Sequence, residues 1–81
     1  MPPEQILAEL TDLFRDVFER PDLTLTRQTT AQDIEGWDSV NHINVIVAAE
    51  MHFGVKFKTA ELDEMKNVGE LVDLIGQKMK R

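Results

Sequence analysis

The sequence has no cysteine, only three prolines and four glycines, and nine basic residues against fifteen acidic ones. Without cysteine no disulfide braces the fold, so packing alone must hold it, as suits a cytoplasmic protein. Nothing near the N-terminus joins basic residues to a long apolar run, so no signal peptide is expected. No stretch approaches the ~20 apolar residues that a membrane span needs. The deficit of basic residues leaves a net charge of −6. That argues against nucleic acid as a partner, because phosphate binding needs a basic face. It suits docking onto enzymes with basic surfaces. Internal repeats and low-complexity segments are absent as well. The 81 residues read as one small domain, residues 1–81, with one modest core and little room for an enclosed catalytic pocket.

What is present is helical periodicity. Pro2 and Pro3 suit the start of a first helix running from about Pro3 to Glu19, with Pro21 just beyond its end. Ile6, Leu10, Leu13, Phe14 and Val17 recur at helical spacing and are expected to face the core. A long connection, Pro21 to Asp38, follows, with Leu23, Leu25 and Ile34 as expected anchors. Loops of this length inside a compact domain are often functional. A second helix covers roughly Val40 to Phe53 and is ended by Gly54. Val55-Lys56-Phe57 is short and alternating, but no second strand run exists to pair with it, so it reads as a packed connector. Thr59 is the expected cap of a short helix through Leu62 and Met65. Asn67 is expected to cap a final helix, with Glu70 three residues later as in a capping box. Val68, Leu71, Val72, Ile75 and Met79 form its apolar stripe, and Lys78, Lys80 and Arg81 complement its C-terminus. The expected fold class is all-α, a small bundle of three main helices plus one short one.

The second helix carries two apolar strips. Val45, Ile46, Ala49 and Phe53 are assigned to the core. Val40, Ile43, Val47 and Met51 form the other strip, which begins beside Ser39. A small bundle does not easily bury both faces of one helix, so this second strip is a candidate contact surface. The alternative is that Leu25, Ile34 or Trp37 covers it. Asn41, Asn44, Ala48 and His52 lie on the flanks, and Glu50 is the only acid in the helix. The acids gather instead in Asp33, Glu35 and Asp38 before the helix and in Glu61, Asp63 and Glu64 after it.

The most informative run is Gly36-Trp37-Asp38-Ser39-Val40. An acidic, glycine-containing loop delivers one serine to the first turn of an apolar helix. Free backbone N–H groups and the positive end of the helix dipole there favour an attached phosphate. Taken with the Phe53-Gly54-Val55 helix end and the later Val68-Gly69, this run resembles the acyl carrier protein family over nearly the whole chain. The family's serine sits in an Asp-Ser-Leu motif, and Val40 here replaces the leucine. The resemblance implies a small helical carrier that is not an enzyme, with 4'-phosphopantetheine covalently attached at Ser39 and Gly36, Trp37, Asp38 and Val40 completing the motif. A phosphopantetheinyl transferase using magnesium would transfer the group from coenzyme A. An acyl or aminoacyl loading enzyme and a downstream acyltransferase or synthase would then use the terminal thiol, in fatty acid or polyketide biosynthesis. The expected partner surface is Val40, Asn41, Asn44, Val47 and Met51 with Asp33, Glu35, Asp38, Glu61 and Glu64, on a protein expected to be monomeric. Ala49 stands where many relatives carry a bulkier aliphatic residue. Closure of neighbouring helices over it is expected to leave a long acyl cargo exposed.

Other readings of the same residues are weaker. Ser39 as a plain N-cap would leave an unmodified helical interaction module. Asp38, Ser39 and His42 have the side-chain types of a hydrolytic triad, but no nucleophile-elbow pattern or oxyanion site accompanies them. His42 falls in the core arc and is expected to be partly buried and hydrogen-bonded, and Trp37 is expected to be a partly exposed anchor. His42 and His52 do not share a face, so they are poor joint metal ligands. Asp33-x-Glu35-Gly36-x-Asp38 has its glycine too early for a calcium loop and lacks the closing glutamate. No metal site is expected.

Overall fold

The computed structural model describes residues 2–79, which form four α-helices and no strand. These are α1 (Pro3–Phe18), α2 (Ser39–Phe53), α3 (Thr59–Asp63) and α4 (Val68–Met79), with one 3-10 turn at Ala31–Asp33. The all-α expectation holds. Lys80 and Arg81 lie outside the described residues. Lys78 lies in the last turn of α4, where it was expected, and also reaches Glu61 at 2.9 Å.

Proline sets the start of α1. Pro2 is extended, and its carbonyl accepts the N–H groups of Gln5 and Ile6. Pro3 at the first helical position lacks the N–H that would have no partner there. The helix stops at Phe18, a residue short of expectation, because Glu19 turns left-handed at φ 55°. The Arg20 N–H then returns to the Arg15 carbonyl. Pro21 follows and could not have continued the helical bonding.

The core is the meeting of three apolar stripes. Ile6, Leu10, Leu13 and Phe14 of α1 pack with Val45, Ile46, Ala49 and Phe53 of α2 and with Val68, Leu71, Val72 and Ile75 of α4. Val17 and Met79 pack on its edge, half-buried. Each fully buried large aliphatic or aromatic side chain contributes about 1.5–3 kcal/mol, so the stripes outweigh any local helix propensity. Leu25, Ile34 and Val55 plug the core from the connections, and Leu23 is half-buried beside them. The connector Val55–Phe57 forms no strand; the Phe57 N–H donates to the Glu50 carboxylate at 2.8 Å.

The long loop is pinned at both ends. Arg15 Nε donates to the Leu23 carbonyl at 2.6 Å. Arg27 meets both carboxylate oxygens of Asp73 at 2.9 Å. The first N–H groups of α4, on Val68 and Gly69, donate to the carbonyls of Thr29 and Arg27. This close approach requires glycine at 69, since a Cβ there would lie 2.8 Å from the Arg27 carbonyl oxygen.

Two local expectations are corrected. Thr59 is not the cap of α3: it is the first helical residue, Lys58 holds the cap position, and Glu61 accepts the Lys58 N–H at 2.8 Å. The short helix ends at Asp63, before Met65. At α4, Asn67 Oδ1 does accept the Glu70 N–H. The Glu70 carboxylate, however, accepts the Lys66 N–H rather than that of Asn67.

Candidate functional site

Gly36 makes the turn into α2. Its φ of 89° lies where side chains are disfavoured. The Trp37 N–H donates to Ile34 and the Asp38 N–H to the Gly36 carbonyl. Asn41 reaches back from the helix and donates its side-chain N–H to that same carbonyl at 2.7 Å. Asn41, expected as a partner contact, is therefore also the brace that holds the motif loop against α2. Its helical position hinted at a flank, and nothing in the sequence marked this bond across five residues.

Trp37 is the second anchor. Its ring meets Phe14 edge-on at 5.1 Å and Phe18 at 6.3 Å, and it stacks on His42 with 24° between the planes. Indole Nε1–H donates to His42 Nδ1 at 3.2 Å. Both rings are half-buried, as expected for a partly exposed anchor and a satisfied histidine.

Ser39 is the first residue of α2, and the cap before it is Asp38, whose carboxylate accepts the Asn41 N–H at 2.9 Å. The plain-cap reading of Ser39 is thus overturned. A helix has one residue in the cap conformation, and Asp38 holds it with extended backbone and a side-chain acceptor. Ser39 itself is exposed, and its hydroxyl makes no hydrogen bond among the described residues. The N–H groups of Ser39 and Val40 also lack an acceptor there. A phosphate ester at Ser39 would meet unpaired donors and the positive end of a fifteen-residue helix. The triad reading fails on the same contacts: Asp38 is spent on the Asn41 N–H and His42 Nδ1 on Trp37.

From this serine an apolar strip runs down α2. Val40, Ile43, Val47 and Met51 are 68, 61, 46 and 82 % exposed. No loop residue covers them; Leu25 and Ile34 are turned into the core and Trp37 onto Phe14. The expected acidic rims are unequal. Glu35, Asp38 and Glu64 are exposed, and the exposed Asp33 bends back to accept the N–H and hydroxyl of Thr30. Glu61 is half-buried, and its carboxyl is held below the usual range first by the Lys58 N–H and then by Lys78. Its charge is largely internal. Glu50, the only acid of α2, is taken by the Phe57 N–H. Asn44 is exposed and donates weakly to Asn41 at 3.4 Å.

Residues 8–75 match the family model described as a phosphopantetheine attachment site. The chain belongs to the acyl carrier protein family. An acyl carrier protein of Acidothermus cellulolyticus is 33% identical over 72 residues, which span 89% of this chain and 86% of that protein. One from Thermotoga maritima is 25% identical over 76 residues, 94% of each chain. The solution NMR structure of the holo acyl carrier protein from Geobacter metallireducens matches with a TM-score of 0.87 at 47% identity, covering 91% of this chain and 85% of that one. The protein is therefore a carrier and not an enzyme. Its cofactor is covalent 4'-phosphopantetheine, and it works with modifying and biosynthetic enzymes. The carrier reading stands over that of an unmodified interaction module. Among the described residues no helix is long and apolar enough to cross a membrane.

Proposed function

We propose that Ser39 is the attachment point and that this chain is a free-standing, monomeric carrier of acyl or aminoacyl thioesters in the cytoplasm. The observation that carries this reading is the exposed, unpartnered Ser39 hydroxyl at the N-terminus of α2, directly after the Asp38 cap. A phosphopantetheinyl transferase with magnesium joins Ser39 Oγ to the phosphate of the arm, breaking the pyrophosphate bond of coenzyme A and releasing adenosine 3',5'-bisphosphate and the hydroxyl proton. The arm supplies a terminal thiol that holds the cargo as a thioester, which is why the chain itself needs no cysteine. This chain's own residues position the hydroxyl, stabilise the ester charge with the free N–H groups of the first turn, and present the partner surface. A flexible tether raises the local concentration of cargo at each docked enzyme.

The loading enzyme and the downstream acyltransferase or synthase are read as docking on Val40, Val47 and Met51, with Asn41 and Asn44 at the flank. Asp33, Glu35, Asp38 and Glu64 supply the acidic rim, and Glu61 contributes least because Lys78 already pairs with it. Incubating the protein with coenzyme A, magnesium and a broad-specificity transferase, followed by intact-mass measurement, tests the attachment. One phosphopantetheinyl group is expected on the native chain and none on Ser39→Ala. A gain that persists in the variant refutes the assignment.

A further inference from the structure

α1 and α2 leave a cleft of about 460 Å³ between their outer flanks. Its apolar lining comes from Leu13 and Val17 of α1 and from Ala48 and Met51 of α2. Met51 is the most exposed large apolar side chain of α2. Along the α1 side run Glu9, Asp12 and Asp16, spaced three and four residues apart and so on one helix face. Glu9 is already matched by His52 at 2.7 Å and by Gln5 at 3.1 Å. The other two are held less firmly or not at all. Arg15 Nη1 stands 3.7 Å from Asp12, whose side chain is 78% exposed, while Arg15 Nε is committed to the Leu23 carbonyl. Asp16 makes no ion pair among the described residues.

We infer that this cleft is a second docking surface, for a cationic amphipathic helix of a protein partner. Aliphatic side chains of that helix would fill the cleft against Ala48 and Met51, and lysines or arginines would pair with Asp12 and Asp16. An apolar floor beside one loosely paired carboxylate, Asp12, and one without an ion pair among the described residues, Asp16, selects that chemistry over an acidic or purely polar segment. A net charge of −6 also sets the face against anionic lipid headgroups. Met51 lies twelve residues beyond Ser39 on one helix, roughly 18 Å at 1.5 Å per residue. An occupant of the cleft thus leaves the Ser39 end of α2 open, while sharing Met51 with the partner surface read on Val40, Val47 and Met51.

The test uses the full chain, labelled with ¹⁵N and titrated with a synthetic amphipathic lysine–leucine helix peptide. The controls are a glutamate–leucine peptide of the same pattern and a lysine–leucine peptide of scrambled order. Shift changes should concentrate at Leu13, Val17 and Ala48, weaken with added salt, and be absent with the glutamate peptide. Asp12→Lys with Asp16→Lys should weaken binding by about tenfold or more, the loss of about 1.4 kcal/mol. If the lysines disturb α1, the isosteric pair Asp12→Asn and Asp16→Asn should give a smaller loss in the same direction. The same titration on Ser39→Ala should give the same shifts, which separates this inference from the attachment reading. Shifts confined to Val40–Val47, equal binding by the scrambled peptide or by both variant pairs, or loss of the shifts in Ser39→Ala would overturn it. So would self-association through the same residues without peptide, which would give the cleft to a second copy.

Discussion

Removing the Ser39 hydroxyl should abolish modification without weakening the fold, whereas removing the neighbouring carboxylate should weaken the fold. In Ser39→Ala no hydrogen bond is lost, because Ser39 Oγ makes none among the described residues and Asp38 supplies the cap. Alanine is also the better helix former, by up to about 0.5 kcal/mol in a helix interior and less at the first position. The expected change is therefore within about 0.5 kcal/mol of zero and on the stabilising side. Asp38→Ala loses the 2.9 Å bond to the Asn41 N–H and the favourable charge at the helix N-terminus, a cost of about 0.5–2 kcal/mol. For a domain of this size about 1 kcal/mol moves Tm by about 4–8 °C. The two variants should thus separate by about 2–20 °C in thermal unfolding followed by circular dichroism at neutral pH. Far-ultraviolet spectra at low temperature should overlay with that of the native chain. A Ser39→Ala variant that melts as low as Asp38→Ala would return the cap role to Ser39 and refute the reasoning.

Gly69→Ala should cost about 1–3 kcal/mol by overpacking against the Arg27 carbonyl. Gly76→Ala, whose Cβ would meet Ile6 at an ordinary 3.6 Å, should be neutral or stabilising; equal melting temperatures for the two would refute the close approach. Val47→Asp or Met51→Asp should slow transferase loading while leaving the unfolding free energy within about 0.5 kcal/mol of native, as surface changes do. Normal loading in both, with loading abolished by Glu50→Gln, would move the docking surface elsewhere. The carboxyls of Glu9 and Glu61 are held below their ordinary 4.5, Glu9 chiefly by His52 and Glu61 chiefly by the Lys58 N–H. The unfolded chain therefore takes up these protons first, and their stabilisation is present above about pH 4.5 and lost as pH falls through the lower folded values. Glu9→Gln with Glu61→Gln should flatten that acid limb of a Tm-against-pH curve, and an unchanged limb would refute it. Ala49 is fully buried in the core, so a long acyl chain at Ser39 should stay exposed. Melting temperatures that climb steadily from holo to short-acyl to long-acyl forms would reveal an expandable pocket, since burial is worth about 0.8 kcal/mol per CH₂.

The three main helices and their inward stripes were legible in the sequence, because a 3.6-residue apolar period and proline or glycine at the ends are local properties. Pro3, Pro21 and Gly54 bracket α1 and α2, and the stripe residues recur at helical spacing. Ser39 as the exceptional serine was legible for the same reason, since a helix start is written in a few adjacent residues. Which neighbour caps that start was not. Asp38 and Ser39 are both good caps, and their competition is decided by the backbone that Gly36 and Asn41 impose on the loop. Whether a loop residue covers the outer strip of α2 was also a tertiary decision, settled when Leu25, Ile34 and Trp37 were drawn to the core and to Phe14 instead. The fate of the charges lay furthest from the sequence. Glu50, Glu61 and Glu9 look like free surface acids, yet they are tied to Phe57, Lys78 and His52 across the fold. Such pairings depend on how whole helices pack, and no local pattern of residues encodes them.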